Sequence, residues 1–332
     1  MKNWRRATAV ILALMLVMVC FVGCGNGGGE DGEDPYASYP DKTIEFIVPY
    51  AAGGGTDAMA RAVAKNLSES LGVSCVVTNI EGASGAIGSM EAFNKAPDGY
   101  TILVHQYEAM IAYYLGGVYS EPLHEEMEMV ATVVYDPNVV SVPKNSKFKT
   151  FDDVVAYAKE NPGKLTWAST GSKSSNEQGS AEIWEAYGIE VNYVPYDSAS
   201  KSRTAVLGGH ADVLYSQVSE VKALVDSGDM APIGVSSEER SLFEDCPTFV
   251  EMGYDVVNGL HRGFFAPPET PAEIVEKLET AIAESCKDEA FISLMENDLG
   301  YSVEFVGSDE LEAMIAERLP IQEKLWELIQ ED

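Results

Sequence analysis

Alternating strands and helices, separated by glycine-rich loops, constrain the fold more than any other feature of this sequence. Residues 43–48 form an apolar, β-branched run, and residues 57–71 carry apolar side chains at helical spacing. Further strands are predicted at 74–79 and 101–104, with a short helix between them. This repeated order predicts an α/β fold that opens as a doubly wound, mostly parallel sheet flanked by helices.

The same alternation begins again near residue 139 and predicts a second α/β unit. Its predicted strands are 139–142, 165–168, 191–194, 213–215 and 233–235, and its predicted helices are 151–160, 176–187, 199–207 and 218–227. A strand at 263–266 is predicted to return to the first unit, before a helix from Pro271 and a C-terminal helix broken near Pro320. A chain of 332 residues usually forms more than one domain. We therefore expect two lobes joined by two crossovers, 40–141 plus 262–332 and 142–261.

The first 23 residues predict an export signal. Three basic residues precede an unbroken apolar run at 9–22, which is short for a transmembrane helix, and a small residue precedes Cys24. This junction resembles a bacterial lipobox, and the resemblance implies cleavage before Cys24 and lipidation of that cysteine. A plain cleaved signal and an uncleaved anchor are the alternatives. Residues 24–39 predict a flexible tether, so we expect a lipid-anchored protein in the periplasm or on the outer face of the cytoplasmic membrane.

The charge of the chain excludes several classes of function. Its 53 acidic and 22 basic residues give a net charge of −31, which repels nucleic acid. The four histidines lie far apart and lack metal-ligand spacing, so no metal site and no cofactor are expected. No nucleophile–base pair is recognisable, so no enzyme is expected. An anionic ligand would require local compensation of this negative charge.

Two glycine-rich loops follow the first two predicted strands. They are Tyr50–Asp57 (YAAGGGTD) and Glu81–Gly88 (EGASGAIG). Each places backbone N–H groups at the start of a helix, where unpaired donors and the helix dipole favour an anion. Neither matches a Walker or a dinucleotide-binding motif. The alternative is a tight turn in which Thr56, Asp57 or Ser84 caps the next helix.

Two further segments are candidates for the same site. Ser169–Ser172 follows a strand of the second unit and offers hydroxyl and N–H donors, although a polar surface loop would have the same composition. Arg262 lies where the chain returns to the first unit. Arginine suits bidentate recognition of a carboxylate, and an ion pair within the hinge is the alternative role.

The order and spacing of several segments resemble the substrate-binding component of tripartite tricarboxylate transporters, a Bug-type extracytoplasmic solute receptor. The matching segments are Pro40–Tyr50, Ala52–Arg61, Glu81–Gly88, Ala96–Thr101, Asn161–Leu165, Ala168–Gly171, Val194–Tyr196, Leu207–Asp212 and Arg262–Pro271. The resemblance covers nearly the whole chain after the predicted signal. It implies a type II periplasmic-binding-protein fold that closes like a flytrap on a small carboxylate. It also implies membrane permease subunits as partners.

The resemblance also implies which residues bind the ligand. By position these are Ala52, Gly53, Thr56 and Asp57, then Ala83, Ser84 and Gly85, then Ser169, Thr170 and Gly171, with Tyr196 and Asp212 from the second lobe. A charged Asp57 would repel an anion, so we expect it to cap the helix or to hold a water. Arg262 completes the set, on the chemical argument given above.

Several alternatives remain open from the sequence. The same flytrap fold serves ligand-sensing receptors of membrane signalling proteins, and it also carries enzymes, because fold does not determine function. Citrate, smaller dicarboxylates, aromatic acids and amino acids are all candidate ligands. A monomer is the expected state.

Overall fold

The computed structural model describes residues 36–240 and 243–330. The chain divides after Ser38, and the strands and helices below lie in the unit that begins at Tyr39. The predicted signal peptide (1–23), Cys24 and the tether up to residue 35 lie outside the described residues. In the described part of the chain, no helix is long and apolar enough to cross a membrane.

The described strands take part in one ten-stranded mixed sheet. They are β1 (Ile44–Val48), β2 (Cys75–Asn79), β3 (Thr101–Gln106), β4 (Glu128–Pro143), β5 (Thr166–Thr170), β6 (Asn192–Tyr196), β7 (Val213–Gln217), β8 (Met230–Val235), β9 (Gly259–Ala266) and β10 (Ser302–Gly307). The main path of the sheet is β2-β1-β3-β9-β4-β7-β5-β6, and β8 and β10 also pair with β4.

Two parallel arrays occupy the ends of this path. The first array is β2-β1-β3, and the second array is β6-β5-β7; within each array neighbouring strands run parallel. Between them, β9 and β4 pair antiparallel with each other and with the arrays. The predicted α/β fold with flanking helices is therefore confirmed, with antiparallel pairing at its centre.

Helices follow most of the strands. They are α1 (Gly55–Leu71), α2 (Ala86–Phe93), α3 (Tyr107–Leu115), α4 (Leu123–Glu126), α5 (Phe151–Glu160), α6 (Ser175–Tyr187), α7 (Ala199–Leu207), α8 (Val218–Asp226), α9 (Ala272–Ser285), α10 (Glu289–Ser293) and α11 (Ser308–Gln330). A 3₁₀ turn at Ala83–Gly85 precedes α2, and a π-helical segment at Leu294–Leu299 follows α10.

The sequence-based prediction was wrong about the C-terminal helix. α11 continues through Pro320 instead of breaking there. Proline removes one backbone hydrogen bond from a helix interior, but buried side chains on both sides of it, Ile315 and Leu325, hold the helix against the rest of the protein. The prediction also missed α3 and β10 and found only residues 139–142 of β4.

Separate apolar clusters support the two arrays. Behind the second array, Trp167, Phe151 and Phe249 are almost completely buried among aromatic neighbours. Behind the first array, Ile47 and Leu103 pack with Phe265 of β9. Replacing any of these large side chains with alanine would cost about 2–5 kcal/mol of stability. The arrays are thus rigid supports for the loops at their carboxyl ends.

Candidate functional site

The first loop connects β1 to α1 and begins that helix without a side-chain cap. Gly54 occupies the N-cap position with φ −78° and ψ 169°, and no side chain accepts a hydrogen bond from the first turn. A Cβ added to Gly55 would lie 1.6 Å from the Tyr301 hydroxyl oxygen, so only glycine fits there. Ala52 and Gly53 are exposed. The first-turn N–H groups of α1 are therefore available to a ligand that approaches this loop.

Asp57 is occupied within the loop itself. Its carboxylate accepts hydrogen bonds from the Gly53 N–H at 2.8 Å and from the Asn79 amide at 3.0 Å, and it pairs with Arg61 at 2.9 Å. Burial alone would raise the pKa of Asp57, but Arg61, Gly53 and Asn79 together hold it below its usual value. Asp57 therefore remains ionised and fastens the loop to α1 and β2.

The second loop lies beside the first. Gly85 is the N-cap of α2, again with no side-chain cap, and its φ of 93° is left-handed. A Cβ at Gly85 would lie 3.4 Å from atoms of both Pro49 and Tyr50, which shows how closely the two loops approach. Ala83 and Ser84 also adopt left-handed φ values, 47° and 55°, which non-glycine residues rarely adopt. Both residues are exposed.

The loop after β5 forms the corresponding edge of the second array. The hydroxyl oxygens of Ser169 and Thr170 are buried without a hydrogen-bond partner in the described structure. Tyr196, at the end of β6, pairs with Thr170, and its carbonyl accepts a hydrogen bond from the Gly171 N–H at 2.8 Å. The structure therefore brings together Ser169, Thr170, Gly171 and Tyr196 at one sheet edge.

Asp212 lies away from this edge. Its carboxylate accepts hydrogen bonds from the backbone and hydroxyl of Thr166, at 2.9 and 2.7 Å, and it lies 3.8 Å from Lys147. Thr166 is the first residue of β5, whereas Ser169 and Thr170 are its last two residues and Gly171 follows them. Asp212 therefore ties the amino ends of β5 and β7 together, and we exclude it from the candidate site.

Arg262 lies on β9 between the two arrays and is buried. Its Nη2 donates to Asp136 Oδ2 at 2.7 Å, its Nη1 donates to Thr56 Oγ1 at 3.4 Å, and its guanidinium lies 4.9 Å from the centre of the Tyr301 ring. Asp136 also accepts hydrogen bonds from the backbone and hydroxyl of Ser219 on α8. Burial raises the pKa of Asp136, although Arg262 and Ser219 act in the opposite direction. Arg262 thus links the first loop, the central strand β4 and the second array.

A cavity of ≈ 620 Å³ lies on the opposite side of β9, and it is a poor site for an anion. His261 lines it, stacked between the rings of Tyr107 and Tyr135 and paired with Glu108 at 2.6 Å. Further carboxylates and one arginine complete its charged lining: Glu238, Glu239, Glu304, Glu317 and Arg318. So many carboxylates would repel an anionic solute, so the loops at the strand ends remain the better candidate.

Sequence reasoning missed the polar residues behind the first loop. Gln106 donates from its Nε2 to Thr56 Oγ1 at 2.9 Å, and its Oε1 accepts from the Tyr50 hydroxyl at 2.9 Å. His105 and Asp136 also belong to this buried network and are completely buried. A glutamine and a histidine at the end of an otherwise apolar strand were the available signal. In the described residues, no cluster of His, Cys, Asp and Glu could hold a metal ion.

The fold agrees with comparisons to known proteins. The family model for the tripartite tricarboxylate transporter family receptor, TctC, matches residues 59–331. The chain belongs to this family. A "UPF0065 protein in gbd 5'region" of Cupriavidus necator is 32% identical to this TctC-family chain over 247 residues, 73% of this chain and 74% of the relative.

Solved structures of similar proteins share the fold. A TctC solute-binding protein from Polaromonas, solved without ligand, matches with a TM-score of 0.75 at 28% identity, covering 89% of this chain and 100% of that one. MatC from Rhodopseudomonas palustris, solved with bound malate, matches with a TM-score of 0.73 at 23% identity, covering 87% and 100%. At that identity the MatC likeness is evidence for the fold alone. The predicted periplasmic-binding-protein fold and the predicted family are confirmed, and the family is one of extracytoplasmic solute receptors.

Proposed function

We propose that this TctC-family receptor is a lipoprotein that captures a small carboxylate and delivers it to the permease of a tripartite tricarboxylate transporter. The lobes that close on the solute are 40–141 plus 262–332 and 142–261. The protein performs no chemistry on the solute, which leaves as it arrived. Lipidated Cys24 and the tether up to residue 39 hold the receptor, as a monomer, at the outer face of the cytoplasmic membrane or in the periplasm.

The observation that carries the proposal is the pair of uncapped helix starts at the ends of neighbouring strands. α1 begins at Gly54 and α2 at Gly85, both without side-chain caps, after the adjacent parallel strands β1 and β2. Ligands of open α/β sheets bind at the carboxyl ends of parallel strands, and N–H groups there stabilise negative charge. In α2 the Ala86 and Ile87 N–H groups already donate to the backbone carbonyls of Ala83 and Gly82, so the first turn of α1 offers the freer donors to a carboxylate oxygen.

The proposed site comprises three segments and one supporting arginine. Ala52, Gly53 and Thr56 come from the first loop, Ala83, Ser84 and Gly85 from the second, and Ser169, Thr170, Gly171 and Tyr196 from the second lobe; Asp57 fastens the first loop. Arg262 contributes positive potential beneath Thr56, although Asp136 offsets much of its charge. The N–H groups are therefore expected to supply most of the favourable interaction with the ligand.

Thermal unfolding tests the ligand class. The full chain carrying Cys24→Ser is purified from the exported fraction and melted with citrate, malate, adipate or benzoate, with glycerol and urea as neutral controls. A ligand that binds only the folded state raises the melting temperature in proportion to ln(1 + [L]/Kd). We expect a dose-dependent rise with at least one carboxylate and none with the neutral solutes. A rise with neutral solutes only would refute the carboxylate proposal.

The anchor and the permease need their own tests. Mass spectrometry of the wild-type N-terminal peptide should find a lipid on Cys24, and Cys24→Ser should release the protein from the membrane fraction. Uptake of the bound carboxylate should require both this receptor and the transporter's membrane subunits. Ligand-dependent phosphorylation of a membrane kinase without uptake would instead support a sensor.

A further inference from the structure

A chain of hydrogen bonds lies behind the first loop, and its direction bears on ligand selection; this inference rests on the proposed carboxylate site. The Gln106 backbone N–H lies 2.7 Å from His105 Nδ1, closer than the Gln106 carbonyl oxygen at 3.0 Å. We assign the acceptor role to Nδ1 on the basis of this shorter contact. Burial lowers the pKa of His105 to about 4, so the ring is neutral near pH 7 and carries its single proton on Nε2.

The His105 proton sets the direction of the neighbouring hydroxyls. With this assignment, Nε2 donates to the Tyr119 hydroxyl oxygen at 2.7 Å, and that hydroxyl lies 3.2 Å from Ser89 Oγ. The Tyr50 hydroxyl lies 3.3 Å from the same Nε2. Because Nε2 carries a proton, Tyr50 cannot donate to it and donates to Gln106 Oε1 instead.

The tyrosine contact in turn orients the glutamine amide. With Oε1 accepting from Tyr50, the amide NH₂ of Gln106 faces Thr56 Oγ1 at 2.9 Å. Arg262 Nη1 approaches the same oxygen at 3.4 Å and is always a donor. A hydroxyl accepts at most two hydrogen bonds, so both acceptor positions of Thr56 are filled. Its own proton must point elsewhere, and in the described part of the chain no residue accepts it.

We propose that Gln106 is a positioning residue that makes the Thr56 hydroxyl act only as a hydrogen-bond donor toward the ligand. Thr56 lies in the first turn of α1, among the N–H donors of the same loop. A carboxylate oxygen at this point accepts the Thr56 proton. An amide or ammonium group there would meet only donors, and its unpaired N–H would weaken binding strongly. Gln106 thus helps the site to select an acid over its amide.

The test is a double-mutant cycle between Gln106 and Thr56, followed by calorimetric titration. Gln106→Glu keeps the shape of the side chain, but its carboxylate accepts the Thr56 proton and turns it away from the ligand. The probe is whichever of citrate, malate, adipate and benzoate binds the wild type most tightly. We expect Gln106→Glu to weaken binding at least tenfold in the wild-type background and less than twofold in the Thr56→Val background.

The double-mutant cycle separates a change in the orientation of the Thr56 hydroxyl from the effect of the added negative charge. A new carboxylate that simply repelled the anion would weaken binding equally with and without the Thr56 hydroxyl, and that result would overturn the proposal. If Gln106→Glu does not fold, Gln106→Met removes the hydrogen-bond donor without adding charge. We then expect binding to weaken about threefold in the wild-type background and less in the Thr56→Val background. Wild-type protein that binds none of the four carboxylates refutes the proposed function itself; binding with an additive cycle refutes only the role of Gln106.

Discussion

The two parallel arrays are built alike, but the helices that follow their strands begin differently. α1 and α2, after β1 and β2, start at glycines without side-chain caps. α6 and α7, after β5 and β6, start at Ser174 and Ser198, whose hydroxyls accept from the first turn. A side-chain cap satisfies first-turn donors within the chain, whereas the start of α1 leaves them for a ligand. In α2 the Ala86 and Ile87 N–H groups donate to the backbone carbonyls of Ala83 and Gly82 instead. The first array is therefore the better anion binder.

The third helix of each array extends this comparison. α3 begins after Gln106 and α8 after Gln217, and each glutamine donates to the second residue of its array's first helix, Thr56 or Asn176. Asn176 then donates to the Thr170 carbonyl. Thr56 has no such acceptor among the described residues. The two equivalent residues thus differ: Asn176 uses its donor within the chain, whereas the hydroxyl proton of Thr56 remains unused.

The largest expected effect comes from Asp136, which holds Arg262 beneath Thr56. Asp136→Asn removes the carboxylate that accepts a hydrogen bond from the buried guanidinium, and we expect a loss of about 3–5 kcal/mol in the free energy of unfolding by urea. Glu284→Gln is the control, since its pair with Lys287 is exposed and should contribute about 1 kcal/mol or less. A loss at Asp136 no larger than the control's would mean that the pair does not join the arrays.

The next effect depends on pH and concerns Glu220 on α8. Burial and, after it, repulsion by Asp136 raise the pKa of Glu220 from 4.5 to about 7, and its Oε2 is enclosed without a partner. A carboxyl that binds its proton more tightly when folded stabilises the fold below the unfolded pKa and loses that contribution as pH rises through about 7.

Glu220→Gln should therefore be more stable than wild type at pH 8, by about 1–3 kcal/mol, and equal to it below about pH 5. Urea unfolding at pH 4.5, 6 and 8 measures this difference. A constant difference across the pH range would mean that Glu220 does not titrate in this window.

Gly54→Ser would give α1 a serine cap like those of α6 and α7. The backbone of Gly54 is extended, and a Cβ there would meet only the Ala51 carbonyl at 3.4 Å, so serine fits as a cap. We expect a few tenths of a kcal/mol of added stability and about tenfold weaker carboxylate binding, because the cap takes a donor from the ligand. Gly54→Ala adds the same Cβ without an acceptor, so its affinity should fall less. Equal losses of affinity in both variants would show that the added side-chain volume, and not the cap, weakens binding.

The sequence predicted the arrays well because each strand–loop–helix unit carries local signals. Apolar runs, glycines and caps placed most elements within a few residues, and Thr150 with Asp153 forms the predicted capping box of α5. The buried network was not predictable in the same way. Gln106, Asp136 and Arg262 meet only because β3, β9 and β4 pair across the sheet. The side-chain contacts of Arg262 join residues that are 126 or more positions apart in the sequence. The local sequence also does not show that Asp212 lies at the amino end of β5, where it bonds to Thr166.

The smallest expected effect tests the capped side of the comparison. Ser198 caps α7 by accepting from the Lys201 N–H, and Ser198→Ala should lower the free energy of unfolding by about 0.5–1 kcal/mol. Ser200→Ala, an exposed position in the same helix, controls for loss of a serine hydroxyl and should change little. Freeing the first-turn donors of α7 should not strengthen carboxylate binding, since the N–H groups expected to supply most of the interaction lie in the loops before α1 and α2. A tighter Kd in Ser198→Ala but not in Ser200→Ala would place α7 at the ligand and show that the arrays share the anion more evenly than their caps indicate.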